Sequence, residues 1–162
     1  MTLKVGDKLP DAKFSHMGAD GPEVVDLSAK LAGRKVVVFG LPGAFTGPCS
    51  TKHIPSFIKA MDGLKAKGVQ EVICVSVNDP FVLEAWGNAT GATAAGITHL
   101  GDADGSFTHA LKMEFTAPPL GLIGRSNRYA VLVEDGVVTA ASIDEPGVCD
   151  ITTGDKFLES IA

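Results

Sequence analysis

Short apolar runs alternate with amphipathic stretches along the first half of the chain. The run "VVVFGL" at 36–41 is β-branched and fully apolar, which predicts a buried strand. Residues 48–66 place Ile54, Phe57, Ile58 and Met61 at helical spacing, and Gly68 is a suitable stop. A second apolar run follows at 69–77, so the pattern predicts strand, helix and strand in succession.

The second half continues the alternation and then changes to a hairpin. A helix is expected after Asn78 or Asp79, with Pro80 in its first turn. Further elements are predicted as a strand at 97–102, a helix at 105–113, two strands within 128–143 joined at Asp135-Gly136, and a helix at 153–161. Residues 114–127 are the least regular stretch. Strands that alternate with helices pair in parallel, and a closing hairpin adds antiparallel strands. The pattern predicts an α/β fold whose mixed central β-sheet is flanked by helices.

Length and charge narrow the possible functions. The 162 residues suit a single domain, 1–162, and 45% of them are hydrophobic. The net charge is −5 and no basic run occurs, which argues against nucleic acid or an anionic membrane as partner. No apolar run approaches the roughly 20 residues that span a bilayer, and the N-terminus resembles no secretory or transit signal. A soluble, cytoplasmic protein is expected.

Cysteine usage points to one reactive position. Cys49, Cys74 and Cys149 are odd in number and form no Cys-x-x-Cys, which fits neither a disulfide scaffold nor a four-cysteine zinc site. Cys74 lies in an apolar strand and is expected to be an inert core residue. Cys49 ends the loop "PGAFTGPC" and enters a helix, with Pro48 in the first turn. Unpaired N–H groups there stabilise an anion such as a thiolate, so Cys49 is expected to be a presented nucleophile.

Other interpretations of Cys49 stay open on residue pattern alone. It could be a buried, inert side chain, or it could share a metal with His53, four residues further along the helix. A cysteine hydrolase would need a histidine base, but His16, His53, His99 and His109 form no pattern that singles one out. Pro55 lacks an N–H, so we expect a bend one turn beyond Cys49.

The segment "VVVFGLPGAFTGPCSTKHIPSF" resembles the active-site segment of the type II peroxiredoxins, the peroxiredoxin-5-like subfamily of the thioredoxin-like superfamily. The resemblance extends to "LKVGDKLP", "VSVND", "AWG" and "RYAVLVEDG", nearly the whole chain. Its specific pattern, Pro-x-x-x-Thr-x-x-Cys, is met by Pro42, Thr46 and Cys49, with Arg128 as the fourth site residue. The order Thr46-Gly47-Pro48-Cys49 departs from the Thr-Pro-x-Cys of many relatives, so an altered turn is expected.

The resemblance implies a thioredoxin-like fold and a thiol-dependent peroxidase that needs no cofactor or metal. Thiolate Cys49 would attack a hydroperoxide and become a sulfenic acid. Thr46, the Cys49 N–H and Arg128 would stabilise the charge that moves onto the peroxide oxygens, while Pro42 shields the thiolate. Arg125 and His53 are expected to support these groups from behind.

How the sulfenic acid returns to a thiol is less constrained. The resemblance favours a one-cysteine cycle with glutathione, through a glutaredoxin, as reductant. Resolution by Cys74 or Cys149 followed by thioredoxin is the alternative. Relatives commonly form homodimers through the active-site edge, where Phe45 would be a contact. A different class of function also stays open, a redox-sensing interaction protein that uses Cys49 as a switch.

Overall fold

The computed structural model describes residues 3–161, and its elements alternate as the sequence predicts. The strands and helices found there are, in chain order, β1 (Lys13–Gly18), β2 (Gly21–Asp26), α1 (Leu27–Leu31), β3 (Lys35–Gly40), a π-helical segment (Cys49–His53), α2 (Ile54–Ala66), β4 (Glu71–Ser76), α3 (Pro80–Thr90), β5 (Ile97–Gly101), α4 (Ser106–Ala110), β6 (Glu114–Ala117), a 3₁₀ turn (Pro118–Leu120), β7 (Leu122–Ser126), β8 (Tyr129–Glu134), β9 (Val137–Ile143) and α5 (Gly154–Ser160). No helix among them is both long enough and apolar enough to cross a bilayer.

Seven of the strands form one mixed sheet in the order β2-β1-β5-β4-β3-β8-β9. Its centre is parallel, since β3 pairs with β4 and β4 with β5, which aligns Phe39 with Cys74 and Cys74 with His99. The strands on both sides are antiparallel. Helices cover both faces: α2, α3 and α5 pack over one core, and α1 and α4 over the other. The predicted mixed sheet flanked by helices is confirmed.

Local signals placed two of the turns correctly. Asp135 and Gly136 join β8 to β9 with φ of 49° and 82°, the pair of positive values that a tight hairpin turn needs. Asp79 caps α3 by accepting a hydrogen bond from the Val82 N–H at 2.9 Å, with Pro80 as the first helical residue. Of the two candidate caps, Asp79 has this role and Asn78 has another, described below.

The helix predicted over 48–66 is divided in two. Its first turn, Cys49–His53, is π-helical, and the N–H of Ile54 donates to the carbonyl of Cys49. A regular α-helix, α2, then begins with Pro55 in its first turn. Because Pro55 has no N–H to offer the preceding turn, the ladder is disturbed where a bend was expected. The disturbance separates the Cys49 turn from the packed body of the helix.

Two hairpins lie where the pattern predicted no regular structure. β1 and β2 pair at one edge of the sheet, and Phe14 is the only residue of β1 that is fully buried. β6 and β7 form a separate two-stranded sheet, so the interpretation of 114–127 as irregular is wrong. Both hairpins are short and half exposed, and such strands lack the continuous apolar runs by which β3 and β4 are recognised.

Candidate active site

The loop after β3 is held by two side chains from distant parts of the chain. Arg125 Nη1 donates to the Pro42 carbonyl at 3.0 Å, and the Ala44 N–H donates to Asn78 Oδ1 at 3.0 Å. Gly43 lies between them with φ of 146°, and a Cβ there would come within 2.3 Å of Arg125 Nη1. Only glycine combines that backbone angle with so close a guanidinium. Arg125 and Asn78 therefore fix the position of the Pro42 loop.

Phe45 and Thr46 come next in the loop: the backbone of the first is strained, and the side chain of the second is hydrogen-bonded. Phe45 has φ of 61°, a left-handed value that costs a non-glycine residue on the order of 1 kcal/mol, and its side chain is 60% exposed. Thr46 Oγ1 donates to the Gly43 carbonyl at 2.7 Å. Because a hydroxyl has one hydrogen and two lone pairs, Thr46 is left with lone pairs to offer a ligand. The family resemblance suggested that the Thr46 hydroxyl donates to a peroxide. Because its hydrogen is already donated to Gly43, the hydroxyl can act towards a ligand only as an acceptor.

Cys49 is the first residue of the π-helical segment and is fully buried. It belongs to the core on the α2 side of the sheet, so the expectation of an openly presented thiol is wrong. The cause is the packing of the turn: Trp86 Nε1 donates to Ser50 Oγ at 2.9 Å and holds the turn against α3.

A cavity of about 370 Å³ opens above this turn. Thr46, Gly47 and Pro48 form one side of it, together with Pro42, and Arg128 lines it from the start of β8. The β6–β7 hairpin and its connection add three apolar side chains to the lining: Phe115, Leu120 and Leu122. The structure thus brings Pro42, Thr46 and Arg128 together at one cavity, beside the turn that begins at Cys49.

Arg128 is 7% exposed and is oriented by His53. Its Nη1 donates to His53 Nδ1 at 2.8 Å, and His53 Nε2 lies 3.0 Å from the Thr152 carbonyl. A carbonyl can only accept, so the histidine proton is on Nε2 and the Nδ1 lone pair receives the guanidinium. Burial, and then the positive charge of Arg128, lower the pKa of His53 to about 3. His53 is therefore a neutral acceptor at physiological pH.

The same bonds leave His53 without a free ring nitrogen for a metal. Among residues 3–161, no group of three or more histidine, cysteine, aspartate or glutamate side chains is placed to hold a metal ion. A metal shared by Cys49 and His53 would have to displace either Arg128 from Nδ1 or the Thr152 carbonyl from Nε2. The geometry argues against that interpretation of the pair.

Cys74 is sealed inside the sheet. It lies on β4 between Phe39 and His99 of the neighbouring strands and is fully buried. Burial raises the pKa of its thiol well above the ordinary value. Although it shares a core with Cys49, its position on a central strand gives it no freedom to move towards that residue without breaking the sheet.

Cys149 lies in the loop after β9 and is partly exposed. Burial raises the pKa of its thiol, although the positive charges of Arg128 and Lys52 act in the opposite direction. Lys52 Nζ donates to the Cys149 carbonyl, and Gly147 of the same loop lines the cavity. Cys149 therefore belongs to a surface loop at the edge of the site.

Sequence reasoning missed three supporting side chains. Asn78 was considered only as a helix cap, Trp86 only as part of a motif, and Asp144 not at all. Polar residues at the carboxyl ends of parallel strands meet at one edge of a sheet. The position of Asn78 just after the central strand β4 was therefore a signal that it belongs to the site. The partners of Trp86 and Asp144 depend on how distant loops return to the site, and the local sequence carries no signal for them.

Comparisons with known proteins match this chain over most of its length. The family model described as Redoxin matches residues 4–152. The chain is 40% identical to peroxiredoxin-2B of Arabidopsis thaliana over 98% of both chains. Among solved structures, reduced Prx3 in complex with H2O2 from Vibrio vulnificus has a TM-score of 0.90 at 40% identity, covering 98% of this chain and 99% of that one. Peroxiredoxin 5 from Alvinella pompejana has a TM-score of 0.84 at 33% identity, covering 98% and 97%.

Proposed function

Since the chain belongs to the peroxiredoxins, thiol peroxidases of thioredoxin-like fold that reduce peroxides, we propose that Cys49 is its peroxidatic nucleophile. The observation that carries the proposal is the cavity lined by Pro42, Thr46 and Arg128 next to the Cys49 turn. These are the positions at which the sequence matches the family's active-site pattern. Peroxide reduction and an antioxidant role follow from membership of the family.

The proposed reaction is a two-electron transfer at sulfur. The Cys49 thiolate attacks the terminal oxygen of a hydroperoxide, an S–O bond forms, and the O–O bond breaks with its electron pair passing to the other oxygen. That oxygen takes up a proton and leaves as water or an alcohol. The sulfur is oxidised to a sulfenic acid while the peroxide is reduced.

Each group around the cavity has a distinct part in this step. The positive charge of Arg128 is not offset by its partner His53, which is neutral, so it is available to stabilise both the thiolate and the negative charge on the leaving oxygen. The first-turn N–H of Cys49 is suited to donate to the peroxide. Thr46, whose hydrogen is used by Gly43, accepts the hydrogen bond of the hydroperoxide O–H. Pro42 and the surrounding core keep bulk water from the sulfur.

The substrate class we propose is hydrogen peroxide and small alkyl hydroperoxides. Two features support it: the Vibrio vulnificus relative was solved in complex with hydrogen peroxide, and several apolar side chains line the cavity. Phe115, Leu120 and Leu122 offer the alkyl group of an organic hydroperoxide a surface on which it is removed from water. Among the described residues that line the cavity, Arg128 is the only charged one.

For the reductive half, we propose a one-cysteine cycle with glutathione and a glutaredoxin. The position of Cys74 supports a cycle that does without it, because its thiol is fully buried on a central strand and burial raises its pKa. Cys149, partly exposed in its loop, is the better placed of the two for the alternative, an internal disulfide reduced by thioredoxin.

A homodimer in the cytoplasm completes the proposal. Phe45 is 60% exposed on the strained loop beside the nucleophile, and the side chain of Leu120 at the cavity is 74% exposed. Pairing these apolar side chains with a second copy would remove both from water and dry the cavity.

Stopped-flow oxidation by hydrogen peroxide tests the assignment of Cys49. The wild-type protein should consume one equivalent rapidly, Cys49→Ser should not react on that timescale, and Cys74→Ser should react as the wild type does. Mass spectrometry after one equivalent and then glutathione should find a glutathione adduct on Cys49. A Cys49–Cys149 disulfide instead would favour the thioredoxin route. Slow oxidation at the rate of an ordinary thiol would favour the redox-switch function and contradict the peroxidase role of Cys49.

A further inference from the structure

Asp144 joins the end of β9 to the loop that carries Cys149. Its side chain is nearly buried, and its carboxylate accepts four hydrogen bonds from residues six to eight positions further on. These come from the N–H groups of Asp150 at 2.9 Å, Ile151 at 3.1 Å and Thr152 at 3.2 Å, and from Thr152 Oγ1 at 2.6 Å. One carboxylate thus folds the whole loop back on itself.

The bonds continue from this loop to the active-site arginine and close into a ring. The Asp144 N–H donates to the Arg128 carbonyl at 3.2 Å. Thr152, held by the Asp144 carboxylate, offers its own carbonyl to His53 Nε2, and His53 Nδ1 accepts from the Arg128 guanidinium. Arg128, Asp144, Thr152 and His53 are therefore each bonded to the next, and we call these four residues the Asp144 ring.

The ring makes the carboxylate responsible for more than the loop. His53 presents its Nδ1 lone pair to Arg128 only while its proton stays on Nε2, and the Thr152 carbonyl is what keeps it there. The carbonyl is in place because the N–H and hydroxyl of the same residue are bound to Asp144. Burial opposes ionisation of this carboxyl, but the hydrogen bonds from Thr152, Asp150 and Ile151 outweigh it and lower its pKa, so the ring contains a true carboxylate.

We propose that Asp144 is a positioning residue of the peroxidase site, which orients the Arg128 guanidinium through Thr152 and His53 while holding the Cys149 loop in place. The inference rests on the role proposed for Arg128. It has a direct consequence for the catalytic cycle. Any displacement of Cys149 that pulls Asp150, Ile151 and Thr152 off the carboxylate also removes the acceptor of His53, so the arginine is correctly oriented only when the loop is docked.

The decisive comparison is Asp144→Asn against Glu145→Gln. Both remove one negative charge, but Glu145 is exposed and its side chain has no hydrogen bond among the contacts of residues 3–161, whereas an amide at 144 turns a donor towards at least one of the N–H or O–H groups that the carboxylate accepts. We expect Asp144→Asn to lower the second-order rate constant for Cys49 oxidation at least fivefold and Glu145→Gln to leave it unchanged.

A second readout separates positioning from a general loss of structure. Nitrogen-15 NMR of the His53 ring distinguishes a protonated Nε2 with a free Nδ1 from an exchanging mixture of tautomers. Asp144→Asn should move the two nitrogen signals towards each other, and Glu145→Gln should not. Thr152→Val, which removes only the hydroxyl bond, should move them in the same direction by less, and it provides the test if Asp144→Asn folds poorly. Unchanged His53 signals in Asp144→Asn and in Thr152→Val would overturn the inference, even if the rate of Cys49 oxidation fell in these variants.

Arg128→Lys, measured in parallel, keeps failure of the proposed function distinct from failure of the inference. Lysine keeps the charge but loses the planar guanidinium that reaches His53. If Arg128→Lys lowers the oxidation rate and Asp144→Asn does not, Asp144 does not position the arginine. If Arg128→Lys itself reacts at the wild-type rate, the direction of the guanidinium has no part in the reaction and the orienting role of Asp144 is overturned, while the charge-stabilising role proposed for Arg128 stands.

Discussion

Nη1 of Arg128 lies 2.8 Å from Nδ1 of His53, and the histidine that receives it is uncharged. Arginines in proteins are commonly oriented by carboxylates, which also cancel their charge. A neutral imidazole fixes the direction of the guanidinium and leaves its charge available to a ligand in the cavity. The charge of Arg128 also acts to lower the pKa of the Cys74 and Cys149 thiols, but burial has the larger effect and raises the pKa of both. The electrostatic effect of Arg128 therefore reaches these two thiols as well as the cavity.

Stability in acid should depend on His53. Its pKa is about 3 in the folded chain, well below the ordinary 6.5, because burial and Arg128 disfavour the charged ring. Between these two values the unfolded chain binds a proton that the folded chain does not, so acid favours unfolding. We expect the free energy of unfolding to fall as pH drops from 6.5 towards 3, by up to about 1.4 kcal/mol per pH unit from this group.

Denaturant unfolding at a series of pH values measures this dependence. Other groups with lowered pKa values, such as Glu71 and His99, also contribute to the total. The difference between wild type and His53→Gln isolates the part that is due to His53. Parallel curves for the two proteins between pH 6.5 and 4 would show that the imidazole takes up its proton without cost to the fold.

Alanine at position 43 should disturb the Pro42 loop. The φ of 146° is unfavourable for alanine, and its Cβ would lie 2.3 Å from Arg125 Nη1. We expect Gly43→Ala to lower the free energy of unfolding by about 1–3 kcal/mol, and to slow peroxide oxidation as the Arg125–Pro42 hydrogen bond breaks. Chemical denaturation and stopped-flow oxidation measure the two effects.

Gly47→Ala is the matched control for the stability of this loop. A Cβ at Gly47 would meet no atom within 4 Å, and its backbone is not left-handed. Its free energy of unfolding should equal or exceed that of the wild type. Equal losses in the two variants would mean that the loop does not tolerate any side chain at its glycines, and that the contact with Arg125 is not the cause.

The two other cysteines should differ sharply in reactivity. In a Cys49→Ser background, iodoacetamide should label Cys149 in the folded protein, since that thiol is partly exposed. Cys74 is fully buried on a central strand with a raised pKa, so it should be labelled only at the rate of unfolding. Peptide mass spectrometry over a time course gives both rates. Labelling of Cys74 as fast as Cys149 would show that β4 opens readily, and would restore Cys74 as a partner for Cys49.

The parts of this molecule that the sequence predicts are those with local causes. The apolar run before Pro42 specifies a buried strand, Asp135-Gly136 specifies a turn, and Pro55 disturbs the turn after Cys49. Pro42, Thr46 and Arg128 were assembled into one site by resemblance to a family, and the structure places them at one cavity. The sequence favoured a presented Cys49 over a buried one, and its burial depends on a distant contact, the packing of α3 against the turn through Trp86.

The Asp144 ring and the β6–β7 hairpin illustrate what local pattern leaves out. Each bond of the ring that passes through His53 joins residues 75 or 99 positions apart, and no periodicity reports such pairs. In the hairpin, β6 alternates exposed and half-buried residues over four positions, and β7 does so only over its first three. These runs are too short to stand out against a stretch with Pro118 and Pro119 at its centre.

The separation of the β6–β7 hairpin from the seven-stranded sheet has a consequence for how the protein can diversify. Phe115 and Leu122 lie on this two-stranded ribbon, while Cys49 and Arg128 belong to the part of the chain built around the seven-stranded sheet. Substitutions at Phe115 and Leu122 can change which substituent of a substrate the cavity admits without altering the strands of the main sheet. Variation that tunes selectivity is therefore confined to the apolar side chains that line the cavity, because Arg125 on the same ribbon holds the Pro42 loop.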